Sequence, residues 1–152
     1  MASNGLMIAG LASGSGKTMV TLGLLRALAR RGKAPAAGKT GPDYIDSGFL
    51  SAAAGRKAVN LDQFAMSKQL LAHLATDQVG DTLIIEGVMG LFDGASGNTG
   101  SSAALAEALD IPVILVMDVR HTAQTAAMIA AGIASLLRAG RIAGVILNHV
   151  AS

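Results

Sequence analysis

The chain has no cysteine, no tryptophan and only three prolines. Lacking a thiol, it has no disulfide, no thiolate metal site and no cysteine nucleophile. Aromatic residues are scarce: Tyr44, Phe49, Phe64 and Phe92 are all there are. The core must therefore be built from alanine, leucine, isoleucine, valine and methionine. Charged residues make up only 14%, the net charge is +2, and lysines and arginines form no long run. This composition argues against a nucleic-acid partner. No uninterrupted apolar stretch approaches the roughly 18 residues of a membrane span. The N-terminus has no basic segment leading into an apolar one, as a secretory signal would. A cytoplasmic protein with no membrane association is the expectation. What remains is a chain of 152 residues, 51% of them apolar, which suits one domain with a sizeable core.

The chain is organised around Gly10-Leu11-Ala12-Ser13-Gly14-Ser15-Gly16-Lys17-Thr18. A short apolar run, Leu6 to Ala9, leads in and reads as a buried strand. Met19 to Arg31 follows with good helix formers and stops at Gly32. Strand, glycine-rich turn, Lys-Thr and helix together form a phosphate cradle. Glycines let backbone amides approach phosphate oxygens, and the helix start adds partial positive charge. Gly10, Ser13, Gly14, Ser15 and Gly16 are the predicted cradle. Lys17 is predicted to reach the β/γ-phosphates, and the Thr18 hydroxyl to bind Mg²⁺. The spacing departs from the common G-x-x-x-x-G-K-[ST] pattern, because Leu11 stands where that pattern has glycine.

Further along, Ala34–Lys39 is a weak strand, since its alanines are poor strand formers. Thr40–Asp46 is rich in turn residues, and Ser47 is the expected cap of a short helix through Ala54. Arg56–Phe64 reads as a loop, and Ser67 as the cap of a helix through Thr76. Thr82–Glu86 is a clear strand, followed by Gly87 to Gly94 and an expected mobile loop, Ala95–Gly100. Ser101 or Ser102 caps a helix to Leu109. Pro112–Met117 is a strand, His121–Leu137 a helix and Ile142–Leu147 the last strand. Met66, Met89, Met117 and Met128 read as core. Apolar strands alternating with helices indicate a three-layer α/β domain with a mostly parallel sheet. In such a sheet Gly10, Lys39, Glu86, Asp118 and Asn148 fall at one edge, at the C-terminal strand ends where ligands bind.

Several residues on that edge admit a chemical role and a plain one. Asp43 and Asp46 sit beside the phosphate site, where they hold Mg²⁺ or else form a turn and a helix cap. Glu86 ends an apolar strand, and a carboxylate there needs a cation or a polarised water unless it is partly exposed. Lys39 either neutralises a transferring phosphoryl group or is a solvated lysine before a turn. Asn148 either reads a base or caps the last strand. His121 and Asp118 read as helix-start residues.

The blocks Lys39-Thr40-Gly41-Pro42-Asp43-Tyr44-Ile45-Asp46, Gly55-Arg56, Asn60-Leu61-Asp62, Glu86 through Gly94 and Pro112 through Val116 resemble one family in particular. It is the cobyrinic acid a,c-diamide synthases, called hydrogenobyrinic acid a,c-diamide synthases in the aerobic cobalamin route. The resemblance implies a P-loop NTPase fold of the dethiobiotin-synthetase-like branch, and an amidoligase that uses ATP and Mg²⁺. It implies that a carboxylate of a corrinoid acid is phosphorylated and that ammonia then displaces phosphate. It assigns Lys17 and Thr18 to phosphate and metal. Lys39, Asp43, Asp46 and Glu86 are the expected catalytic set, with Thr18, Asp43 and Glu86 toward the metal and Asn148 toward the base. Members of the family carry a C-terminal glutaminase domain with a catalytic cysteine. Residues 1–152 are accordingly expected to be a truncated synthetase domain without its glutaminase. Loss of that domain is expected to expose apolar surface and favour homodimers or aggregates. The competing readings are a related amidoligase of the cobyric acid synthase or dethiobiotin synthetase type, a partitioning- or division-type nucleotide switch, and an inactive nucleotide-binding module. Leu11 stands where the switches carry an extra lysine.

Overall fold

A computed structural model describes residues 4–78, 80–95, 99–137 and 141–150. In chain order the elements are β1 (Gly5–Gly10), α1 (Lys17–Arg30), β2 (Pro35–Thr40), α2 (Tyr44–Ala54), β3 (Val59–Leu61) and α3 (Lys68–Thr76). They continue with β4 (Thr82–Glu86), α4 (Ser102–Leu109), β5 (Val113–Asp118), α5 (Thr125–Leu136) and β6 (Ile142–Asn148). The six strands form one sheet in the order β3-β2-β4-β1-β5-β6, and every pairing is parallel. The three-layer architecture read from the alternation of apolar strands and helices is the one observed.

The central strands bury both faces by sending alternate side chains to opposite sides, whereas edge strand β6 alternates half-buried and exposed residues. Ile8, Ala37, Ile84 and Val116 meet Leu25 of α1 and Leu50 and Ala54 of α2 on one face. Met7, Leu83, Ile85, Val113 and Leu115 meet Leu71, Leu105, Ala106 and Ala126 on the other. The doubtful second strand is among the most buried, with all six residues of β2 out of water. Its small residues serve packing rather than propensity. A Cβ on Gly38 would already stand 3.3 Å from the Ile85 side chain.

Four expectations are corrected. The stretch read as a loop from Arg56 to Phe64 contains β3, whose three residues are too short to show a period and exist because β2 pairs with them. Asp43, not Ser47, caps α2: its side chain accepts from the Asp46 amide, and the helix begins at Tyr44. Ser47 lies inside the helix and donates to the Asp43 carbonyl at 2.8 Å. Helix α5 begins at Thr125 rather than His121, because Asp118 draws both the backbone and the side chain of Arg120 into a tight turn. Neither Asp118 nor His121 is therefore a helix-start residue. Met117 is core, and Met66 packs on it. Met89 and Met128, by contrast, are 47% and 76% exposed. Residues 96–98 of the expected mobile loop lie outside the described residues.

Truncating Leu25, wholly buried on the sheet-facing side of α1, to alanine should cost about 2–5 kcal/mol. Val145 is 40% exposed on the edge strand β6, and Val145→Thr should change stability by less than about 0.5 kcal/mol. Urea denaturation of the two variants tests this ranking.

Candidate functional site

Helices α1 and α5 begin without a side-chain cap. Helices α2, α3 and α4 have side-chain caps from Asp43, Ser67 and Ser101. Helix α1 is preceded by Gly16 at φ 95°, and no side chain caps it. Its first amides are left for an outside acceptor, and the helix dipole selects an anion. The loop leading to it is built to stay open. A Cβ on Gly10 would overlap the Ser15 hydroxyl, and one on Gly16 would overlap the Asn148 amide. Lys17 is buried and folds back to donate to the Ala12 carbonyl at 2.9 Å. Burial, and then the nearby charge of Lys39, hold the Lys17 ammonium below its usual pKa. The Ser15 hydroxyl is buried without a partner, while Ser13 and Gly14 stand exposed at the crest of the turn.

Asn148 comes from the far end of the sequence to this loop. Its side-chain amide donates to the Ser15 carbonyl at 3.0 Å. The strand-cap alternative for Asn148 is thereby replaced by a brace on the phosphate cradle.

Sheet register assembles the second half of the site. Lys39 lies opposite Asn60 on one side and Glu86 on the other. Laterally paired residues point to the same face, so the three side chains form a row beside α1. Glu86 is 1% exposed. Its Oε1 accepts from the Thr18 hydroxyl at 2.6 Å and lies 3.2 Å from Lys39 Nζ, while its Oε2 has no partner. Lys39 Nζ also meets Asp46 Oδ2 at 2.7 Å and Asp43 Oδ2 at 3.7 Å. Lys39 is thus no solvated lysine, and Glu86 is no exposed strand end. Burial alone would lower the Lys39 pKa, but hydrogen bonds and charge from Asp46 and Glu86 outweigh it and raise the pKa. The hydrogen bond from Lys39 holds the Asp46 carboxyl below its usual range.

Asp43, Asp46 and Glu86 all face the Lys39 ammonium. They converge there because register sets Lys39 beside Glu86 and the following turn carries Asp43 and Asp46. No group of three or more histidines, aspartates and glutamates that could hold a metal occurs among the described residues. A smaller donor set does fit a hard cation. Thr18 and Glu86 are already in contact, and the buried Oε2 lacks a partner. Mg²⁺ takes few protein ligands and completes its shell with water and phosphate oxygens. Asp43 is committed to the α2 cap and stands further out. His121 and the Asp118–Arg120–His149 cluster remain apart from this row.

Residues 6–152 match the family described as the CobQ/CobB/MinD/ParA nucleotide binding domain. The hydrogenobyrinate a,c-diamide synthase of Rhizobium meliloti (strain 1021) is 52% identical over 151 residues, covering 98% of this chain and 35% of that protein. The protein of the same name from Rhodobacter capsulatus is 52% identical over 153 residues, covering 97% of this chain and 35% of its own length. The chain therefore spans about a third of the length of the curated relatives it matches. Among solved structures, chloroplast FtsY from Physcomitrella patens superposes with a TM-score of 0.62 at 19% identity, over 97% of this chain and 50% of that one. At that identity the likeness speaks of the fold alone. Among the described residues no helix is long and apolar enough to cross a membrane.

A carboxyl held below its ordinary pKa stabilises the fold above that ordinary value and loses the effect as acid protonates it. Wild type should therefore exceed Asp46→Asn in stability near neutral pH. The gap should close as pH falls below about 4. Urea denaturation of both proteins from pH 7 to pH 3 measures this, and a gap that widened in acid would contradict the ion pair.

Proposed function

Because the chain belongs to the CobQ/CobB/MinD/ParA nucleotide-binding family, we propose that it is the ATP-binding synthetase domain of a hydrogenobyrinate or cobyrinate a,c-diamide synthase. The observation that carries this reading is the buried row of Lys39 and Glu86, closed by Asp46, beside an uncapped helix start. A nucleotide-binding domain needs the helix start. A fixed ammonium at that position suits the meeting of a substrate carboxylate with a phosphoryl group.

In this reaction a carboxylate oxygen of the corrinoid acid attacks the γ-phosphorus of ATP. The bond to ADP breaks and an acyl phosphate forms. Ammonia then adds to the acyl carbon, loses a proton and expels phosphate, leaving the amide. Lys17 leaves the Ala12 carbonyl to hold the β/γ-phosphates, and the α1 amides hold their oxygens. Lys39 supplies positive charge to the transferring group, while Asp46 and Glu86 fix its position. Thr18 and Glu86 would hold Mg²⁺, with Asp43 within reach through water. The ion supplies charge neutralisation at the phosphates. Residues 1–152 form the synthetase unit, and the ammonia comes from a glutaminase domain outside these residues. The setting is the cytoplasm.

Glutamine hydrolysis needs an activated nucleophile, usually a cysteine with a base, and this chain has no cysteine. Given ATP, Mg²⁺ and a corrinoid acid, it should form amide slowly with ammonium and none with glutamine, as followed by mass. Glutamine-dependent product would refute the assignment of the glutaminase elsewhere. In the ammonium reaction, Glu86→Gln and Asp46→Ala should each lower the rate by about tenfold or more.

The nucleotide part is tested separately. Lys17→Ala should abolish ATP binding in calorimetry while leaving the circular dichroism spectrum unchanged, and equal affinity in the two proteins would defeat the reading.

A further inference from the structure

Asn60 belongs to the strand that the sequence pattern did not show, and neither the phosphate cradle nor the charged pair requires it chemically. Its position is nonetheless specific. It is the β3 partner of Lys39 and shares a face with it. Its side-chain nitrogen donates to the Gly41 carbonyl at 3.3 Å and to the Asp43 carbonyl at 3.1 Å, and its oxygen meets the Ser47 hydroxyl.

These bonds complete the polar accounting of the turn between β2 and α2. The Gly41 amide donates to the Leu61 carbonyl at 2.9 Å. Pro42 has no N–H to satisfy. The Gly41 and Asp43 carbonyls lie where the chain turns at φ 75°; Asn60 donates to both, and the Ser47 hydroxyl is a second donor to the Asp43 carbonyl. A buried or half-buried carbonyl without a donor costs about 1–3 kcal/mol. One primary amide can serve two acceptors with its two N–H groups. The same turn carries the Asp43 cap, whose Oδ1 accepts from the Asp46 amide at 3.1 Å. Asp46 in turn reaches Lys39 at 2.7 Å. The path from Asn60 to the ammonium thus runs through the Asp43 carbonyl, the Asp43 cap and the Asp46 carboxylate.

We infer that Asn60 is a positioning residue of this site. By clamping the Gly41–Asp43 turn it holds Asp46 over Lys39 and keeps the ammonium aimed at Glu86. The inference stands on geometry, and the proposed reaction enters only in what the positioned lysine then does. Its test needs no turnover, so its failure and the failure of the amidation reading are separate results.

The variants are Asn60→Leu, which keeps the bulk without polarity, and Asn60→Asp, which keeps size and acceptor but removes both donors. Ser47→Ala, which removes the hydroxyl's bonds to the Asp43 carbonyl and the Asn60 oxygen but keeps both N–H donors of Asn60, is the control. Two readouts are taken on each folded protein: hydrogen exchange of individual amides, and acylation of each lysine by an amine-reactive reagent, read by mass. In wild type the Asp46 amide is bonded and Lys39, 3% exposed, should react slowly. Both Asn60 variants should lose protection selectively at residues 41–47, with β1 and β4 amides unchanged. Lys39 should acylate severalfold faster relative to the surface Lys33, and Ser47→Ala should stay near wild type. An Asn60→Asp protein with wild-type protection and a slow Lys39 would overturn the clamp. So would a loss of protection spread evenly over the sheet, or a Ser47→Ala protein that opens as far as the Asn60 variants.

Discussion

A lysine and a glutamate on adjacent central strands, both almost out of water, set the terms for the rest of this molecule. Removing two charges from solvent costs several kcal/mol per ion, and their attraction repays it only when the remaining hydrogen-bond capacity is filled. Lys39 and Glu86 meet at 3.2 Å through sheet register. Part of the remaining capacity is filled from elsewhere: Asp46 at the start of α2 takes the ammonium, and Thr18 on α1 donates to Oε1 of the carboxylate. Each partner anchors a different helix to the C-terminal edge. The phosphate cradle and the α2 turn are therefore tied to one buried pair, and neither can shift without exposing an unpaired charge.

That arrangement is satisfied on one side and open on the other. Glu86 Oε2, Thr40 Oγ1 and Ser15 Oγ are buried without partners, and the amides at the start of α1 have no capping side chain. Buried polar groups without partners are rare in folded proteins. Here they gather along the strand ends where α/β sheets take their ligands. A phosphate with its cation would supply both the acceptors that the amides lack and the charge that the carboxylate lacks.

The apolar residues are distributed with the same division. The core consists of small and aliphatic side chains, which let the helices approach an alanine- and glycine-containing strand closely. Three of the four aromatics lie outside it, with Tyr44, Phe49 and Phe64 at 80%, 58% and 64% exposure, while Phe92 packs against it. Tyr44 and Phe49 lie on α2 on either side of Asp46, close to the charged row. Edge strand β6 and helix α5 add a second exposed apolar surface through Met128, Leu136 and Leu147.

The phosphate loop was legible in the sequence because its chemistry is local: glycines, Lys-Thr, and a helix start within nine residues. Strand β4, with Glu86 at its end, was equally plain, since an unbroken apolar run that stops at a carboxylate reports its own burial. Strand β3 could not be read, because three residues carry no period and the strand exists only through its pairing with β2. The cap of α2 was misplaced because the aspartate that serves it lies in a turn whose shape is held from β3. The convergence of Lys39, Asp46 and Glu86, and the reach of Asn148 to Ser15, join positions far apart in the chain. Register between parallel strands decides which side chains become neighbours, and register is a property of the assembled sheet.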